Sequence, residues 1–311
     1  MAYFNEFALG AEARILNHTE LFAELLQIAA QLGMPCASPP VCRSRQVVVR
    51  GLRFQVLEWG DPDAPAVMLV HGGGVTAHTW DLLALQLAGR YRILAPDIRG
   101  HGNSEWPRDG DSDHHEMTLD LAELLVALGA TPAAVLGHSL GGALAMRLAL
   151  AFPEMVRALG ILDFCPEPIY PGLQAGRIRT FESIDDYVAR ALKYGDRLPR
   201  EVAYAARHEL MQRPDGRLMP RHDPRHVMGG PEPTYYPGTP GFDEMRAAGM
   251  PTLVLWGANS FLVTDEKCER LLDCLPDGHR VRIDGAGHQV HLEQPAAFCA
   301  GVTGFLDALS W

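Results

Sequence analysis

Basic residues are scarce in this sequence: 27 Lys and Arg stand against 38 Asp and Glu, a formal net charge of −11. Nucleic acid and an anionic membrane surface both require clustered cations, so neither is expected as a partner. There is no run of eighteen apolar residues, and the stretch from Met1 to Arg14 has neither a basic segment nor a continuous apolar core. A membrane span or secretory leader is therefore not expected, and the expected location is cytoplasmic. The six cysteines (Cys36, Cys42, Cys165, Cys268, Cys274, Cys299) form no C-x-x-C pair and no metal-ligand spacing. Scattered reduced thiols are the expectation, with Cys36 and Cys42 near enough in sequence to bridge. No metal centre is indicated: His222 and His226 flank Asp-Pro-Arg without a third ligand in view, and both are expected to face solvent. Internal repeats and low-complexity tracts are absent as well.

What is present is apolar material, 47% of 311 residues, enough for one full core with an insertion. Residues 5 to 32 read as one or two amphipathic helices, with Leu16, Leu21, Leu25, Ile28, Ala29 and Leu32 near one face. This segment is expected to pack on the core or on a second copy of the chain, and to contribute no catalytic group. Two alternating strands follow, around 46–50 and 53–59. The continuous apolar run Ala66 to Val70 must be covered on both faces, which suits a strand inside a parallel sheet. Helices and strands then alternate to Leu162 in a doubly wound α/β pattern. Between Pro166 and about Met245 the alternation breaks, with helix-like pieces at 184–192 and 199–211 and no convincing buried strand. It resumes at Pro251 with a strand, a helix, a strand at 280–283 and a last helix to Leu309.

The chain is organised around Gly137-His138-Ser139-Leu140-Gly141, which lies between the short apolar strand Ala133 to Leu136 and a helix that runs to Phe152. A turn that sharp forces Ser139 into strained backbone, and any side chain at Gly137 or Gly141 would collide with the neighbouring strand or helix. The hydroxyl is raised there, and the helix N-terminus points N–H groups at the same spot. A G-x-S-x-G alone is weak, because Gly and Ser fill such turns for conformational reasons. The flanking strand and helix make Ser139 a candidate nucleophile.

A serine hydroxyl needs a base, held by a third group, and donors for the oxyanion that forms. Of thirteen histidines, His18, His114, His115, His208, His222 and His226 lie on polar stretches and are expected on the solvated surface. His288 closes the turn Gly285-Ala-Gly-His288 before the final helix and is the candidate base, with His291 as its rival. His71-Gly72-Gly73-Gly74 follows the first parallel strand, where backbone N–H groups are unobstructed. The N–H groups of Gly73 and Leu140 are the expected oxyanion pair.

In that order, His71-Gly-Gly-Gly, the loop Asp97-Ile-Arg-Gly-His-Gly-Asn-Ser104, Gly137-His-Ser-Leu-Gly-Gly142 and Gly285-Ala-Gly-His288 resemble the α/β-hydrolase fold enzymes of the capped, ester- or carbon-carbon-cleaving type, from about Val47 to Leu309. The resemblance implies an α/β-hydrolase fold: a doubly wound, mostly parallel sheet with a helical cap inserted after the strand that follows the nucleophile helix. The expected organisation is an N-terminal helical extension (1–45), a core (46–165 and 246–311) and the cap (166–245). The Asp97 to Ser104 stretch would then be a structural loop bordering the site. The sequence departs from the commonest pattern after the penultimate strand, where Gly257-Ala-Asn-Ser260 carries serine in place of the usual triad acid. Asp163 lies 24 positions after Ser139, a spacing at which some members carry the acid instead. It is the expected acid, with Asp265 as the alternative.

The implied function is a cofactor-independent serine hydrolase that cleaves a small-molecule carboxylic ester, lactone or amide through an acyl-enzyme. A carbon-carbon hydrolase acting on a β-diketone-like substrate is the nearest alternative, and a ligand-binding or cofactor-free oxygenase member of the fold is another. Epoxide or haloalkane chemistry on this fold uses a carboxylate nucleophile, and Ser139 speaks against it. Tyr170, Phe181, Tyr187, Tyr194, Tyr204, Tyr235 and Tyr236 in the insertion suggest apolar pocket walls or the insertion's own small core.

Overall fold

The computed structural model describes residues 14–17, 19–110, 113–167, 179–193, 197–225 and 238–311. His18, Tyr170, Tyr194, His226, Tyr235, Tyr236 and the first part of the expected N-terminal helix lie outside these residues. In chain order the strands are β1 Arg14–Ile15, β2 Cys42–Val49, β3 Leu52–Trp59, β4 Ala66–Val70, β5 Arg92–Pro96, β6 Ala133–His138, β7 Val156–Leu162, β8 Leu210–Gln212, β9 Leu218–Pro220, β10 Thr252–Gly257 and β11 Gly278–Ile283. The helices are α1 Glu20–Gln31, α2 Asp81–Leu87, α3 His114–Ala127, α4 Leu140–Ala151, α5 Ile184–Ala191, α6 Pro199–Glu209, α7 Asp265–Leu272, α8 Val290–Glu293 and α9 Pro295–Asp307.

Nine strands form the central sheet in the order β1-β2-β3-β5-β4-β6-β7-β10-β11. The first three join antiparallel, and from β5 onward every pairing is parallel. The parallel strands read as continuous apolar runs because both faces are covered. Met68 and Val70 of β4 face a core shared with α3, α4 and α7, while Val67 and Leu69 face a second core built with α1, α2 and α9. The chain winds to one side of β4 through β5 and then to the other through β6. The ends of β4 and β6 therefore flank the point where the winding reverses, the crevice in which open α/β sheets place their ligands.

The expected N-terminal helix is shorter than its periodicity suggests. Thr19 caps α1 by accepting from Phe22 N–H at 3.2 Å, while Arg14 and Ile15 form an edge strand on Arg43 and Ser44. Asn17 fixes the turn between them, accepting from Cys42 N–H and donating to the Pro40 carbonyl, both at 2.7 Å. The apolar face of α1 is buried through Phe22, Leu25, Ile28 and Ala29. Its polar face reaches α6, where Arg200 and Arg207 meet Glu24, and Arg200 also bonds Gln27.

The segment between β7 and β10 adds no strand to the central sheet among its described residues. It holds α5, α6 and a small β8–β9 hairpin, which the sequence reading did not foresee because three-residue strands leave too short an alternation. The segment packs on the loops after β4 and β5. Asp223 N–H donates to the Gly100 carbonyl, Gly102 N–H to that of Arg221, and Arg221 to Asn103 Oδ1. Three histidines expected in solvent are instead drawn inward. His114 is buried at the start of α3, and His208 and His222 are half-buried where the insertion meets the core. The surrounding sequence is polar, but these contacts are tertiary and leave no local pattern.

Two glycines set a pair of opposite expectations. A Cβ on Gly141 would lie 2.2 Å from the Val70 carbonyl oxygen, so backbone would have to move. Gly304, exposed inside α9, has nothing within 4 Å of such an atom. Urea denaturation should find Gly141→Ala destabilised by about 1–3 kcal/mol or more, as overpacking costs, and Gly304→Ala stabilised by up to about 1 kcal/mol through helix propensity. Equal midpoints for the two variants would refute the close approach.

Candidate active site

Ser139 stands at the joint between β6 and α4 with φ 54° and ψ −117°, a conformation that non-glycine residues rarely adopt. The strain is enforced by packing. A Cβ on Gly137 would sit 2.0 Å from the Gly141 carbonyl oxygen, so strand and helix backbones are in contact on both sides of the serine. The first turn of α4 leaves the Leu140 N–H without a partner, and the N–H of Gly73 is also unengaged among the described residues. Leu140 directly follows the buried Ser139, so its N–H is a free donor at the start of the helix beside that hydroxyl.

The loop after β4 is held close to the serine. A Cβ on Gly72 would lie 3.0 Å from His138 Nδ1 and 3.3 Å from Ser139 Cβ, so this backbone passes close beside the serine. His71 shapes the loop: its Nδ1–H donates to the Gly72 carbonyl at 2.7 Å, and its Nε2 accepts the Ile98 N–H at 3.0 Å. Asp97 secures the neighbouring turn, accepting from Ala77 N–H at 2.7 Å and Asn103 N–H at 2.8 Å. Ser104 Oγ donates to the Asp97 carbonyl and accepts from Gln55 N–H, which ties this loop to β3.

Asp163 and His288 meet although 125 positions separate them. Asp163 follows the end of β7, fully buried and in a left-handed conformation (φ 49°). Its Oδ2 accepts from His288 Nδ1 at 2.7 Å and from Ser260 Oγ at 2.6 Å, and its Oδ1 accepts from Gly257 N–H at 2.9 Å. Asp265 lies elsewhere, bonded to Trp256 Nε1 at 2.7 Å and to Arg282 on a half-exposed surface. His291, the rival base, is buried among Trp80, Phe298 and His138, with its Nε2 2.7 Å from Thr79 Oγ1. Ser139 Oγ makes no hydrogen bond among the described residues; in ligand-free sites such bonds are commonly long and tighten when substrate binds.

Two residues without an assigned part in the sequence reading are part of this arrangement. Ser260 occupies the position where an acid was missing, and its hydroxyl donates to Asp163 at the end of the neighbouring strand. His138, the variable residue of the elbow, donates from Nε2 to the His288 carbonyl at 2.8 Å and so holds the His288 loop. A histidine directly before the serine, on a strand neighbouring the Gly-x-Gly-His turn, was the available signal.

His71, His138 and His291 are buried, and desolvation lowers the pKa of each, His291 to about 3. For His138 the nearby His288 and His291 add to the effect, and for His291 Arg197 and His288 do. The unfolded chain, with histidine near 6.5, binds more protons than the folded one below that pH. Their contribution is thus complete above about pH 6.5 and is lost as pH falls toward the folded values, by up to about 1.4 kcal/mol per pH unit per residue. The urea midpoint should drop between pH 7 and pH 5, and a flat profile over that range would contradict the neutral burial.

The motif order and this geometry agree with the comparisons. A family model described as "Alpha/beta hydrolase family" matches residues 67–301. An esterase of Mycobacterium tuberculosis is 29% identical over 307 residues, covering 94% of this chain and 97% of the relative. A crystal structure of that esterase superposes with a TM-score of 0.73 at 28% identity, over 94% of this chain and 100% of the other. The epoxide hydrolase A of the same organism is 29% identical over 85% of this chain and 97% of its own length. No helix among the described residues is long and apolar enough to cross a membrane. With its elbow, its glycine loop and its histidine turn all on one doubly wound sheet, the chain belongs to the alpha/beta hydrolase family and is a hydrolytic enzyme.

Proposed function

We propose that the protein is a serine hydrolase that cleaves a small carboxylic ester, lactone or amide through an acyl-enzyme on Ser139. The observation that carries this reading is the 2.7 Å bond between Asp163 Oδ2 and His288 Nδ1, at the strand ends beside the elbow. With Nδ1–H committed to the carboxylate, His288 keeps a lone pair on Nε2 and can take the Ser139 proton as the hydroxyl attacks a carbonyl carbon. Asp163 stabilises the imidazolium that results. The N–H groups of Gly73 and Leu140 receive the oxyanion. His288 then returns the proton to the departing alcohol or amine, and a water activated by the same histidine releases the acid.

The esterase relative supports an ester among these substrates. The epoxide hydrolase relative supports the fold more than its chemistry, because a hydroxyl stands here where that reaction on this fold uses a carboxylate. In this reading residues 166–245 are a cap that selects the substrate over a core of 46–165 and 246–311, and residues 1–45 are a packing extension. Phe261, 69% exposed and edge-on to His288 with ring centroids 5.0 Å apart, would be an apolar wall at the mouth.

A fluorophosphonate probe should label the wild-type protein and leave Ser139→Ala unlabelled; equal labelling of both would remove the serine from the mechanism. p-Nitrophenyl esters of graded chain length, run beside lactones and aryl amides, should identify the substrate class. On the best of these, Asp163→Asn should lower kcat by roughly 10³ to 10⁴ without unfolding the protein, the scale seen when the orienting carboxylate of a serine triad is neutralised. Asp265→Asn should change kcat little, and the reverse ranking would shift the acid to Asp265.

A further inference from the structure

Away from Ser139, a cavity of about 240 Å³ opens where the N-terminal segment, the central sheet and the insertion meet. Phe22, Cys42, Trp59 and Tyr204 line it, and so do three side chains of ligand type: His78, Asp81 and His208. His78 lies in the short 3-10 turn Ala77–Trp80 that follows the oxyanion loop, Asp81 opens α2, and His208 lies in the last turn of α6. Each offers one ligand atom, and these atoms lie within 4.8 Å of one another.

Hydrogen bonding leaves this group unfinished. His78 Nδ1 is 2.8 Å from Asp81 Oδ2, and the Tyr204 hydroxyl donates to the same oxygen at 2.5 Å. Among the described residues the second carboxylate oxygen, Asp81 Oδ1, is buried without a partner, and the side chain is only 3% exposed. His208 Nε2 is buried and unpartnered as well, with the His208 ring stacked on His78 at a centroid distance of 3.6 Å. A purely structural cluster accounts for the shared oxygen but leaves Asp81 Oδ1 and His208 Nε2 buried and unpartnered among the described residues, which buried polar groups seldom are.

We propose that His78, Asp81 and His208 bind one divalent transition-metal ion, with water from the cavity completing its coordination. Two imidazole nitrogens and one carboxylate oxygen suit Zn²⁺, Co²⁺ or Ni²⁺, whereas Mg²⁺ and Ca²⁺ favour all-oxygen sets. Bonds of about 2.0–2.2 Å in a tetrahedral site place neighbouring donors closer together than 4.8 Å, so the ligands must draw in. An ion lies in the plane of each imidazole it binds, so the stack must also open. His208 has room to turn because its ring borders the cavity. Tyr204 can keep its bond to Oδ2 while Oδ1 takes the metal, a hydrogen bond of the kind that fixes metal-bound carboxylates. Because His78 and Asp81 belong to the core and His208 to the insertion, the ion would join the two beside the oxyanion loop. The site is independent of the proposed catalytic residues, none of which lines this cavity.

Protein stripped with a chelator should be titrated with Co²⁺ while the visible absorption of tetrahedral Co²⁺ is followed, and Zn²⁺ then used to displace it. The wild type should take up one equivalent with micromolar or tighter affinity, and Zn²⁺ should raise its Tm. His208→Ala, checked for folding by circular dichroism, should bind at least about tenfold more weakly and lose the Zn²⁺ effect on Tm. Should that variant fold poorly, His208→Gln fills the space without an imidazole and should show the same loss. His288→Ala should bind as the wild type does, which separates this site from the histidines around Ser139. Uptake only at millimolar metal, unchanged binding in the His208 variants, or loss in His288→Ala would each overturn the assignment.

Discussion

The site depends on one buried carboxylate. Asp163 is sealed from water and gathers three donors from separate pieces of chain: the Gly257 N–H at the end of β10, the Ser260 hydroxyl and the His288 ring. A carboxylate stripped of solvent without such partners would be far too costly to keep ionised. Its partners thus satisfy both oxygens of the buried carboxylate as well as fixing its geometry. They also decide the tautomer of His288, since an acceptor on Nδ1 leaves Nε2 as the basic nitrogen. Folding of β7, β10 and the loop after β11 into register is what assembles these partners.

Around this carboxylate the backbone is held by contacts too close for side chains. Gly72 touches the elbow, Gly137 and Gly141 press strand against helix, and the left-handed backbone of Ser139 follows from that crowding. Such strain survives only where the surroundings overdetermine it, and here β4, β6 and β7 are buried on both faces of the sheet. The insertion adds polar contacts to the apolar ones that Tyr204, Phe242 and Met245 make with the core. Arg200 and Arg207 meet Glu24 of α1, Tyr204 meets Asp81, and Asp223 meets the loop after β5. The core is thus fixed by packing, and the insertion by packing together with exchangeable polar bonds.

What could be read in the sequence was what is contiguous. The elbow, the His-Gly-Gly-Gly loop and the Gly-Ala-Gly-His turn are each a short stretch whose chemistry and backbone demands coincide, and continuous apolar runs gave the parallel strands. Asp163 came within reach through its spacing of 24 positions after Ser139 and the serine at 260 in place of the usual acid. Ser260 was read as a missing acid and not as a donor, because a hydroxyl at a turn carries no sign of what it faces. His78, Asp81 and His208 share no local pattern, since 127 positions separate Asp81 from His208 and only the packing of α6 on the core joins them. The β8–β9 hairpin and the inward turn of His114 were hidden for related reasons: very short strands have no period, and a polar neighbourhood does not report burial.

The Ser260 hydroxyl bears on how such a site can change over generations. Its oxygen lies 2.6 Å from Asp163 Oδ2, so a carboxylate grown at position 260 would come within hydrogen-bond reach of the one already present. Two carboxylates that close cannot both stay ionised; they would share a proton and compete for one imidazole. The two strand ends therefore make an exclusive pair of seats. Moving the charge from one to the other requires a neutral intermediate in which the vacated seat turns from acceptor into donor, and serine is a residue small enough to fill that seat without disturbing the histidine.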